Sequence, residues 1–164
     1  MIFELQPPEG AGPLFIGATG NHIVEVLKQF GVPQLFCRTQ GSRPAWAVQR
    51  PSGLFIGTYF DADDRLEAIE FGRPHGKNDA VTYDGHYVFT TPMADLVTHL
   101  RRRTAVYQEE NGHAFTAPGL LLSLWRPTVP DSPDDEEGRF PESVLVARPG
   151  YYPQSAGPDR PSQE

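Results

Sequence analysis

Cysteine is almost missing from this chain of 164 residues, in which Cys37 is the single example. One cysteine excludes an internal disulfide, and a cysteine-poor chain suits a reducing compartment. Long apolar runs are missing as well, since no stretch approaches the roughly 18 apolar residues of a membrane-spanning helix. The first residues, MIFELQPP, have neither the positive segment nor the apolar core of a secretory signal. We therefore expect a soluble, cytoplasmic protein that does not bind membranes.

Basic residues are scarce. The chain has 14 Lys and Arg against 21 Asp and Glu, which gives a formal net charge of −7. Nonspecific nucleic-acid binding needs clustered basic side chains that displace counterions, so this class of function is disfavoured. The negative charge favours solubility and is compatible with a basic protein partner. Many soluble bacterial proteins are equally acidic, so charge alone does not decide between these readings.

The length of the chain suits one domain that needs neither disulfides nor metal to fold, because a chain of this size buries roughly 70% of its unfolded surface. We expect this domain to span residues 1–149. From residue 150 to residue 164, Pro, Gly, Ser and Gln dominate the composition. Such a composition predicts a disordered tail.

The most informative pattern is an amphipathic helix signature that occurs twice, at an offset of 70 residues. In each copy, apolar residues follow the spacing i, i+3, i+4, i+7, which places them on one helix face. These residues are Ile23, Val26, Leu27 and Phe30 in the first copy and Met93, Leu96, Val97 and Leu100 in the second. The expected helix starts are Thr19 or Asn21 as N-cap in the first copy, and Thr91 as cap with Pro92 following in the second.

Further signals follow both helices in the same order: apolar strands, a Gly-Leu strand opening, an acidic turn, an arginine and an Arg-Pro pair. The paired positions are Gly53-Leu54 and Gly119-Leu120, Arg65 and Arg139, and Arg73-Pro74 and Arg148-Pro149. We interpret residues of about 14–74 and 80–149 as two pseudo-repeats. Neither copy could bury its apolar face well alone, so the two are expected to pack as one body.

Strand signals outnumber helix signals. Apolar and β-branched runs predict strands at 34–38, 45–49, 54–60, 66–71, 80–83, 86–89, 105–108, 113–116, 120–125 and 143–147. Asp84-Gly85 between two of these runs is a strong two-residue hairpin signal. Residues 1–18 indicate an edge strand or an extended arm, and Gly31 is expected to end the first helix in a left-handed conformation. We predict an α+β fold in which both helices pack on one face of an antiparallel sheet.

This tandem arrangement of helix and antiparallel strands resembles the architecture of the β-lactamase inhibitor protein and related small bacterial domains. The chain lacks the two disulfides of that secreted inhibitor. The stretch Gly53–Pro74, with its Tyr59-Phe60-Asp61 turn, is also similar to immunity proteins encoded beside bacterial polymorphic toxins. The resemblance implies a binding role, but it identifies no target and transfers no site residue.

Motifs for catalysis, cofactors or metals are weak. Cys37 lies in an apolar strand, where a buried and inert thiol is expected. The five histidines are scattered without an i, i+4 pair, so a zinc-binding helix is unsupported. The Asp61–Asp64 turn lacks the glycine and the spacing of a helix-loop-helix calcium site and reads as a hairpin turn. Arg101–Arg103 are expected to stabilise a helix C-terminus. We predict no catalytic, cofactor-binding or metal-binding residue.

Acidic segments and exposed aromatic residues are the candidates for partner binding. Residues 131–137 contain five acids and no base. This run is either a solvated loop or a negative surface that attracts a basic toxin. Tyr59, beside the acidic turn, is the best candidate for an aromatic anchor, whereas Trp46 and Trp125 are expected to pack in the sheet. The predicted partner-binding set is Tyr59, Asp61, Asp63, Asp64, Asp131, Asp134, Asp135, Glu136 and Glu137.

From these observations we expect a non-catalytic binding protein, of immunity or inhibitor type, that occludes a toxin or enzyme and exists as a monomer or weak homodimer. Two alternatives remain open. One is a small-molecule-binding or enzymatic domain with a pocket between sheet and helices, lined by Phe55, Tyr59, Phe71 or Trp125. The other is a regulatory domain that dimerises through a sheet edge.

Overall fold

Two β-sheets and two helices make up the computed structural model, which describes residues 1–37 and 39–152. The elements are β1 (Ile2–Gln6), β2 (Gly10–Ala11), β3 (Leu14–Phe15), α1 (Gly20–Leu27), β4 (Gln34–Phe36), β5 (Ala45–Gln49), β6 (Phe55–Phe60), β7 (Leu66–Gly72), β8 (Ala80–Tyr83), β9 (His86–Tyr87), α2 (Met93–Arg101), β10 (Tyr107–Glu109), β11 (Ala114–Ala117), β12 (Leu122–Trp125) and β13 (Ser143–Ala147). The predicted α+β class is confirmed. Neither helix has the length and apolar character needed to cross a bilayer.

The larger sheet has eight strands in the order β10-β11-β12-β13-β7-β6-β5-β4, and its neighbouring strands are antiparallel. The four strands that follow α1 form one half of this sheet, and the four that follow α2 form the other half. The halves meet where β7 pairs with β13, from Gly72 opposite Ser143 to Ala68 opposite Ala147. Both halves therefore have the same element order, and the origin of the two halves from one duplicated sequence stays a prediction.

A smaller sheet contains five strands in the order β3-β2-β1-β8-β9, in which β1 and β8 are parallel. The prediction that residues 1–18 form an edge strand or an arm is wrong for β1, which lies in the middle of this sheet. Its neighbour β8 comes after the whole first half of the larger sheet. A parallel partner this far along the chain leaves no local pattern in the sequence.

The main core lies between one face of the eight-stranded sheet and a layer that the two helices and the smaller sheet form together. The predicted apolar faces of both helices are buried, with exposures of 7% or less for Ile23, Val26, Leu27 and Phe30 and of 3% or less for Met93, Leu96, Val97 and Leu100. They share one apolar cluster with alternate residues of the central strands, including Ile69 and Phe71 of β7 and Val144 and Val146 of β13. The helices thus cover a single face of the sheet.

Each helix begins with a backbone N–H that donates a hydrogen bond to the loop between the third and fourth strands of its own half. The first backbone N–H of α1, at Gly20, donates to the carbonyl of Asp64 (3.1 Å). The first N–H of α2, at Met93, donates to the carbonyl of Arg139 (2.8 Å). These bonds satisfy N–H groups that have no partner within a helix. The acidic 61–64 turn and the 126–142 loop are therefore attached to the helix starts.

The predicted helix ends are only partly correct. Thr19 caps α1, because its Oγ1 accepts a hydrogen bond from the N–H of His22 (3.3 Å). The prediction for Gly31 is wrong, since α1 ends at Leu27 and Lys28 keeps right-handed backbone angles at the cap. The prediction for Thr91 is also wrong, since the N-cap of α2 is Pro92 and no side chain caps this helix. The Arg139 carbonyl supplies a bond that we expected from threonine.

A buried carboxylate connects the first half of the larger sheet to the smaller sheet. Asp79 accepts hydrogen bonds from Arg50 Nε (2.8 Å) and Nη2 (3.1 Å) and from the Ser52 hydroxyl. Arg50 Nη1 also donates to the carbonyl of Phe30 (2.9 Å). These contacts connect the segment after α1, the β5–β6 turn and the start of β8. The hydrogen bonds from Arg50 favour the ionised carboxylate and lower the pKa of Asp79.

Replacing this carboxylate tests the connection. Because the pKa of Asp79 is lowered in the folded state, its stabilising contribution is present above the ordinary pKa of 3.8 and is lost as the pH falls below it. We expect Asp79→Asn to lower the free energy of unfolding by about 3 kcal/mol at neutral pH, since it breaks a buried ion pair. Urea unfolding at several pH values measures both effects, and the deficit of the variant should shrink in acid.

Asp63→Asn is the matched control, because Asp63 is exposed and lies in a turn. Its free energy of unfolding should stay within about 0.5 kcal/mol of the wild-type value. A deficit for Asp79→Asn that is the same at every pH would contradict the assigned role of the ionised carboxylate.

Candidate functional site

The face of the eight-stranded sheet that points away from the helices is the candidate site, and we call it the open face. Side chains alternate between the two faces along each strand, so the neighbours of the core residues point to this side. The open face carries Phe55 and Tyr59 of β6, Glu70 and Gly72 of β7, Thr116 of β11, Ser123 and Trp125 of β12, and Ser143 and Leu145 of β13.

A depression forms on the open face because small residues occupy its middle. The strand register aligns Phe55, Gly72, Ser143 and Trp125 in one row across four neighbouring strands. Two large aromatic side chains thus stand at the ends of the row, while a glycine and a serine lie between them. Three strand spacings separate the ends, a distance of about 14 Å.

The next row of the open face adds polar groups to the floor of this depression. The register aligns Gly57, Glu70, Leu145, Ser123 and Thr116. Gly57 leaves room for the aromatic side chains of β6, because an added Cβ would lie 2.8 Å from Cε1 of Phe55. The row therefore places a carboxylate and two hydroxyls on the sheet surface, on the two sides of Leu145.

The resulting cavity has a volume of about 690 Å³. Its aromatic lining comes from Phe55, Trp125, Tyr151 and Tyr152. Among the described residues, its charged lining consists of three carboxylates and one guanidinium, from Glu70, Glu109, Glu142 and Arg73. We call this cavity the acidic concavity, because carboxylates outnumber basic groups in its lining.

Hydrogen bonds fix two of these carboxylates on the open face. The Thr116 hydroxyl donates to Oε2 of Glu109 (2.8 Å) and lies 3.1 Å from the Ser123 hydroxyl. The Tyr59 hydroxyl donates to Oε1 of Glu70 (3.0 Å). Both bonds fix the position of a carboxylate on the surface of the concavity.

The segment after β13 borders the concavity. Gly150 has a φ of +84°, and beyond this turn Tyr151 and Tyr152 pack against Ala68, Leu145 and Ala147. Tyr151 also borders a second cavity, of about 170 Å³, which Tyr59 and Glu67 line as well. Residues 150–152, which the composition assigns to a tail, thus lie against the sheet. The rest of the predicted tail, 153–164, lies outside the described residues.

The predicted acidic turn has a structural use. Oδ1 of Asp61 accepts the backbone N–H groups of Asp63 (2.9 Å) and Arg65 (3.0 Å), and Oδ2 accepts a hydrogen bond from Arg148 Nη1 (2.8 Å). The N–H of Arg65 is the largest cause of the lowered pKa of Asp61. The side chain of Asp61 therefore closes the turn, whereas Asp63 and Asp64 are exposed.

The 131–137 segment is folded by its own hydrogen bonds. Oδ1 of Asp135 accepts the N–H of Glu137 (3.1 Å), and Oδ2 accepts the N–H of Asp131 (3.3 Å). Glu136 pairs with Arg139 (3.1 Å). Asp131, Asp134, Glu136 and Glu137 are exposed, and Asp135 is half-buried. The segment keeps most of its negative charge at the surface.

The structure places the two predicted acidic segments at opposite ends of the central strand pair. The 61–64 turn lies beside Arg148, which follows β13, whereas the 126–142 loop precedes β13. They cannot form one continuous patch. Tyr59 lies on the open face opposite Ala68, at the end of the strands near the 61–64 turn. Glu142 and Ser143, at the end of the loop, line the acidic concavity, so the loop is the acidic segment that adjoins it.

A buried arginine anchors this loop. Arg126 is 9% exposed, and its guanidinium donates to the carbonyls of Gly112 (3.0 Å) and Gly138 (3.1 Å). Burial lowers the pKa of Arg126. No local pattern marks this residue, because its partners come from two different loops. The bonds fix both ends of the loop beside the concavity.

Two expectations for single residues are wrong, and the residues named for the alternative pocket lie on both faces of the sheet. Cys37 is exposed, because it follows the short edge strand β4 and leaves the sheet. Trp125 is 38% exposed, because it lies on the open face rather than in the core. Phe71 is fully buried in the core cluster, while Phe55, Tyr59 and Trp125 lie on the opposite face. These four residues therefore cannot line a single pocket between sheet and helices.

Basic groups near the second helix have partners in the preceding hairpin. Asp84 lies 2.8 Å from His99 Nε2 and accepts a hydrogen bond from Arg103 Nη1 (3.0 Å). The pKa of Asp84 is lowered, mainly by the hydrogen bond with His99. Arg103 thus holds the turn at Asp84-Gly85 against α2. Among the residues that the structure describes, no three His, Cys, Asp or Glu side chains are grouped as a metal site would require.

Comparison of this chain with models of protein families, with curated proteins and with solved structures gives no match. The resemblance to immunity proteins and to the β-lactamase inhibitor architecture stays a prediction from the sequence pattern. The arguments for function below rest on the geometry of the open face.

The attachment of the 126–142 loop can be tested at Gly138. This residue has a φ of +78°, and an added Cβ would overlap the carbonyl oxygen of Thr128. We expect Gly138→Ala to lower the free energy of unfolding by about 3 kcal/mol, from backbone strain and steric overlap together. Urea unfolding measures this loss.

Gly85→Ala is the matched control. Gly85 has a φ of +81° but has no atom within 4 Å of an added Cβ. Its replacement should cost about 1 kcal/mol, from backbone strain alone. Equal losses for the two variants would show that Thr128 and Gly138 are not packed as described.

Proposed function

We propose that this chain is a non-catalytic binding protein of immunity or inhibitor type, which occludes a partner protein through the open face of its eight-stranded sheet. The observation that carries the proposal is the acidic concavity, where small residues form the floor and aromatic and carboxylate side chains form the walls. We further propose that the protein acts in the cytoplasm of a bacterium, without a cofactor.

The rigidity of the open face supports a binding role. Its floor consists of central strands whose other side is packed against the core, including Phe71 and Val144 with exposures of 1% or less. A surface on central strands changes shape little on binding, which lowers the entropy lost in a complex. Trp125 and Phe55 stand at the walls, and aromatic side chains are frequent anchors of protein interfaces.

The charge around the concavity supports a basic partner. Glu70, Glu109 and Glu142 line it, and the 131–137 segment belongs to the loop that ends at Glu142. Negative charge concentrated around one recess accelerates association with a basic surface by about one to three orders of magnitude at low salt. Exposed charges contribute more to the rate of association than to affinity. The loop would thus guide the partner, and the concavity would hold it.

A small-molecule site is the second candidate. The volume of about 690 Å³ lies within the range of ligand pockets, which is roughly 300–1,000 Å³. The concavity would then bind a cationic organic molecule through the same walls. Affinity capture with the immobilised chain distinguishes the two candidates, because only the first predicts that a protein is captured.

Affinity capture with three baits tests the protein-binding proposal. Wild-type chain, Ser143→Arg and Thr98→Arg are immobilised and exposed to lysate of the source organism. Ser143→Arg fills the floor of the concavity and reverses its charge, whereas Thr98 is exposed on α2, far from the open face. We expect one or a few basic proteins on the wild-type and Thr98→Arg baits and at least about a tenfold reduction on Ser143→Arg, since a central contact carries much of the binding energy.

If the chain is an inhibitor, the captured protein should be toxic when the chain is absent. Expressed alone in a bacterial host, it should slow growth, and co-expression of the wild-type chain should restore growth while Ser143→Arg should not. Circular dichroism and thermal unfolding of each bait confirm that it is folded, and Trp125→Ala serves as a second variant of the open face. Retention of the same proteins by all baits, or of none by the wild-type chain, would overturn the proposal.

A further inference from the structure

We propose that the acidic concavity binds an arginine side chain, presented by an exposed segment of the partner protein. This inference rests on the proposed function and specifies what the open face recognises. It follows from three properties of the concavity: acceptor groups on its floor and walls, aromatic faces beside them, and a width that exceeds one side chain.

The polar groups of the concavity are mainly acceptors. Glu70, Glu109 and Glu142 contribute carboxylates, and the hydroxyls of Ser123 and Ser143 lie between the walls. Within residues 1–37 and 39–152, no basic group lies within 4.0 Å of the carboxylates of Glu109 or Glu142. A ligand rich in N–H donors and positive charge complements such a lining.

Arg73 also lines the concavity, but its guanidinium does not pair with Glu109 or Glu142. Arg73 lies at the edge of the concavity, and its guanidinium carbon is 5.3 Å from the centroid of the Phe140 ring. The same ring receives Arg139 from the 126–142 loop, at 5.6 Å. The two arginines thus share a ring at the rim. Among the residues that the structure describes, the carboxylates of Glu109 and Glu142 therefore have no basic partner within 4.0 Å.

Aromatic walls favour arginine over other cations. Trp125 and Phe55 stand at opposite ends of the row that forms the floor, and Tyr151 borders the same space. A guanidinium is planar, stacks on aromatic faces and bonds to carboxylates with two parallel N–H groups. A lysine ammonium is more strongly hydrated and has no planar face to stack. The combination of carboxylates with aromatic rings therefore selects arginine.

A protein segment fits the concavity better than a free small cation. The row from Phe55 to Trp125 spans about 14 Å, so residues that flank an inserted arginine would also meet the walls. The acidic 131–137 segment adjoins the concavity through Glu142 and can attract further basic residues of the same partner. A free cation would use the carboxylates without using this wider surface.

The two tryptophans provide a direct measurement. Trp125 belongs to the concavity, whereas Trp46 packs against the core on the other face of the sheet. Two indole N–H signals are expected in an NMR spectrum of the nitrogen-labelled wild-type chain, and Trp125→Phe assigns them. The probe is a nine-residue peptide of glycine and serine with one central arginine, blocked at both ends. Matching peptides carry lysine or citrulline at the same position, and agmatine represents the free small cation.

We expect the arginine peptide to shift the Trp125 signal while the Trp46 signal stays in place. Citrulline has nearly the shape of arginine without its charge, so its peptide should bind at least about tenfold more weakly. The lysine peptide and agmatine should each bind at least about threefold more weakly, since one lacks the planar stack and the other lacks the flanking chain. Glu142→Gln and Glu109→Gln should each weaken the arginine peptide about tenfold.

Glu25→Gln is the matched control variant, because Glu25 is exposed on α1. This substitution changes the net charge by the same amount as Glu142→Gln or Glu109→Gln. It should leave the arginine peptide unaffected. Calorimetric titration of the wild-type chain is a second measurement if a variant fails to fold. Equal binding of the arginine and citrulline peptides, equal binding of agmatine and the arginine peptide, or an unchanged Trp125 signal would overturn the inference. If bait capture remains sensitive to Ser143→Arg in that case, the proposed function stands and only the arginine assignment falls.

Discussion

The antiparallel pairing of β7 with β13 is the contact on which the rest of the structure depends. It joins the last strand of each four-strand half, so that two meanders become one sheet of eight strands. The same two strands place Phe71 and Val144 in the core on one face and Gly72 and Ser143 on the other. Without this pairing, the aromatic residues of β6 and β12 would not stand about 14 Å apart across a shared floor. The fold and the candidate site therefore have one cause.

Loops stabilise this sheet and also determine its charge. The connections before β7 and before β13 each bind a helix start through a backbone carbonyl, at Asp64 and at Arg139. Acidic residues in the first connection close a turn and bind Arg148, whereas most of those in the second remain exposed beside the concavity. The Arg126 guanidinium holds the second loop by two carbonyls. The two loops occupy equivalent positions in the two halves, but the acids of the first stabilise a turn, whereas most acids of the second contribute surface charge.

The sequence predicted the elements of the fold better than their arrangement. The sequence pattern located both helices, though not their ends, and it gave the strands 45–49, 80–83 and 143–147 with the observed bounds, because burial of one face leaves a pattern within a few residues. It missed the five-stranded sheet, since the parallel pairing of β1 with β8 joins distant segments. It also missed the acidic concavity. Gly72, Ser143 and Trp125 are unremarkable in isolation, and only the strand register brings a glycine and a serine between two aromatic side chains. The acidic runs could be recognised in the sequence. Their positions at opposite ends of the central strands could not, because these positions depend on the pairing of β7 with β13.

Amide hydrogen exchange of the wild-type chain tests the central claim most directly, because it reports the opening free energy of each strand separately. If β7 and β13 join the two halves into one cooperative sheet, amides of both strands should exchange only through global unfolding. Their opening free energies should then equal each other and the value from urea unfolding. Exchange of β10 to β13 through an opening that leaves β4 to β7 protected would contradict the account. It would show that the halves are separate folding units and that the shared floor of the concavity is not a stable feature.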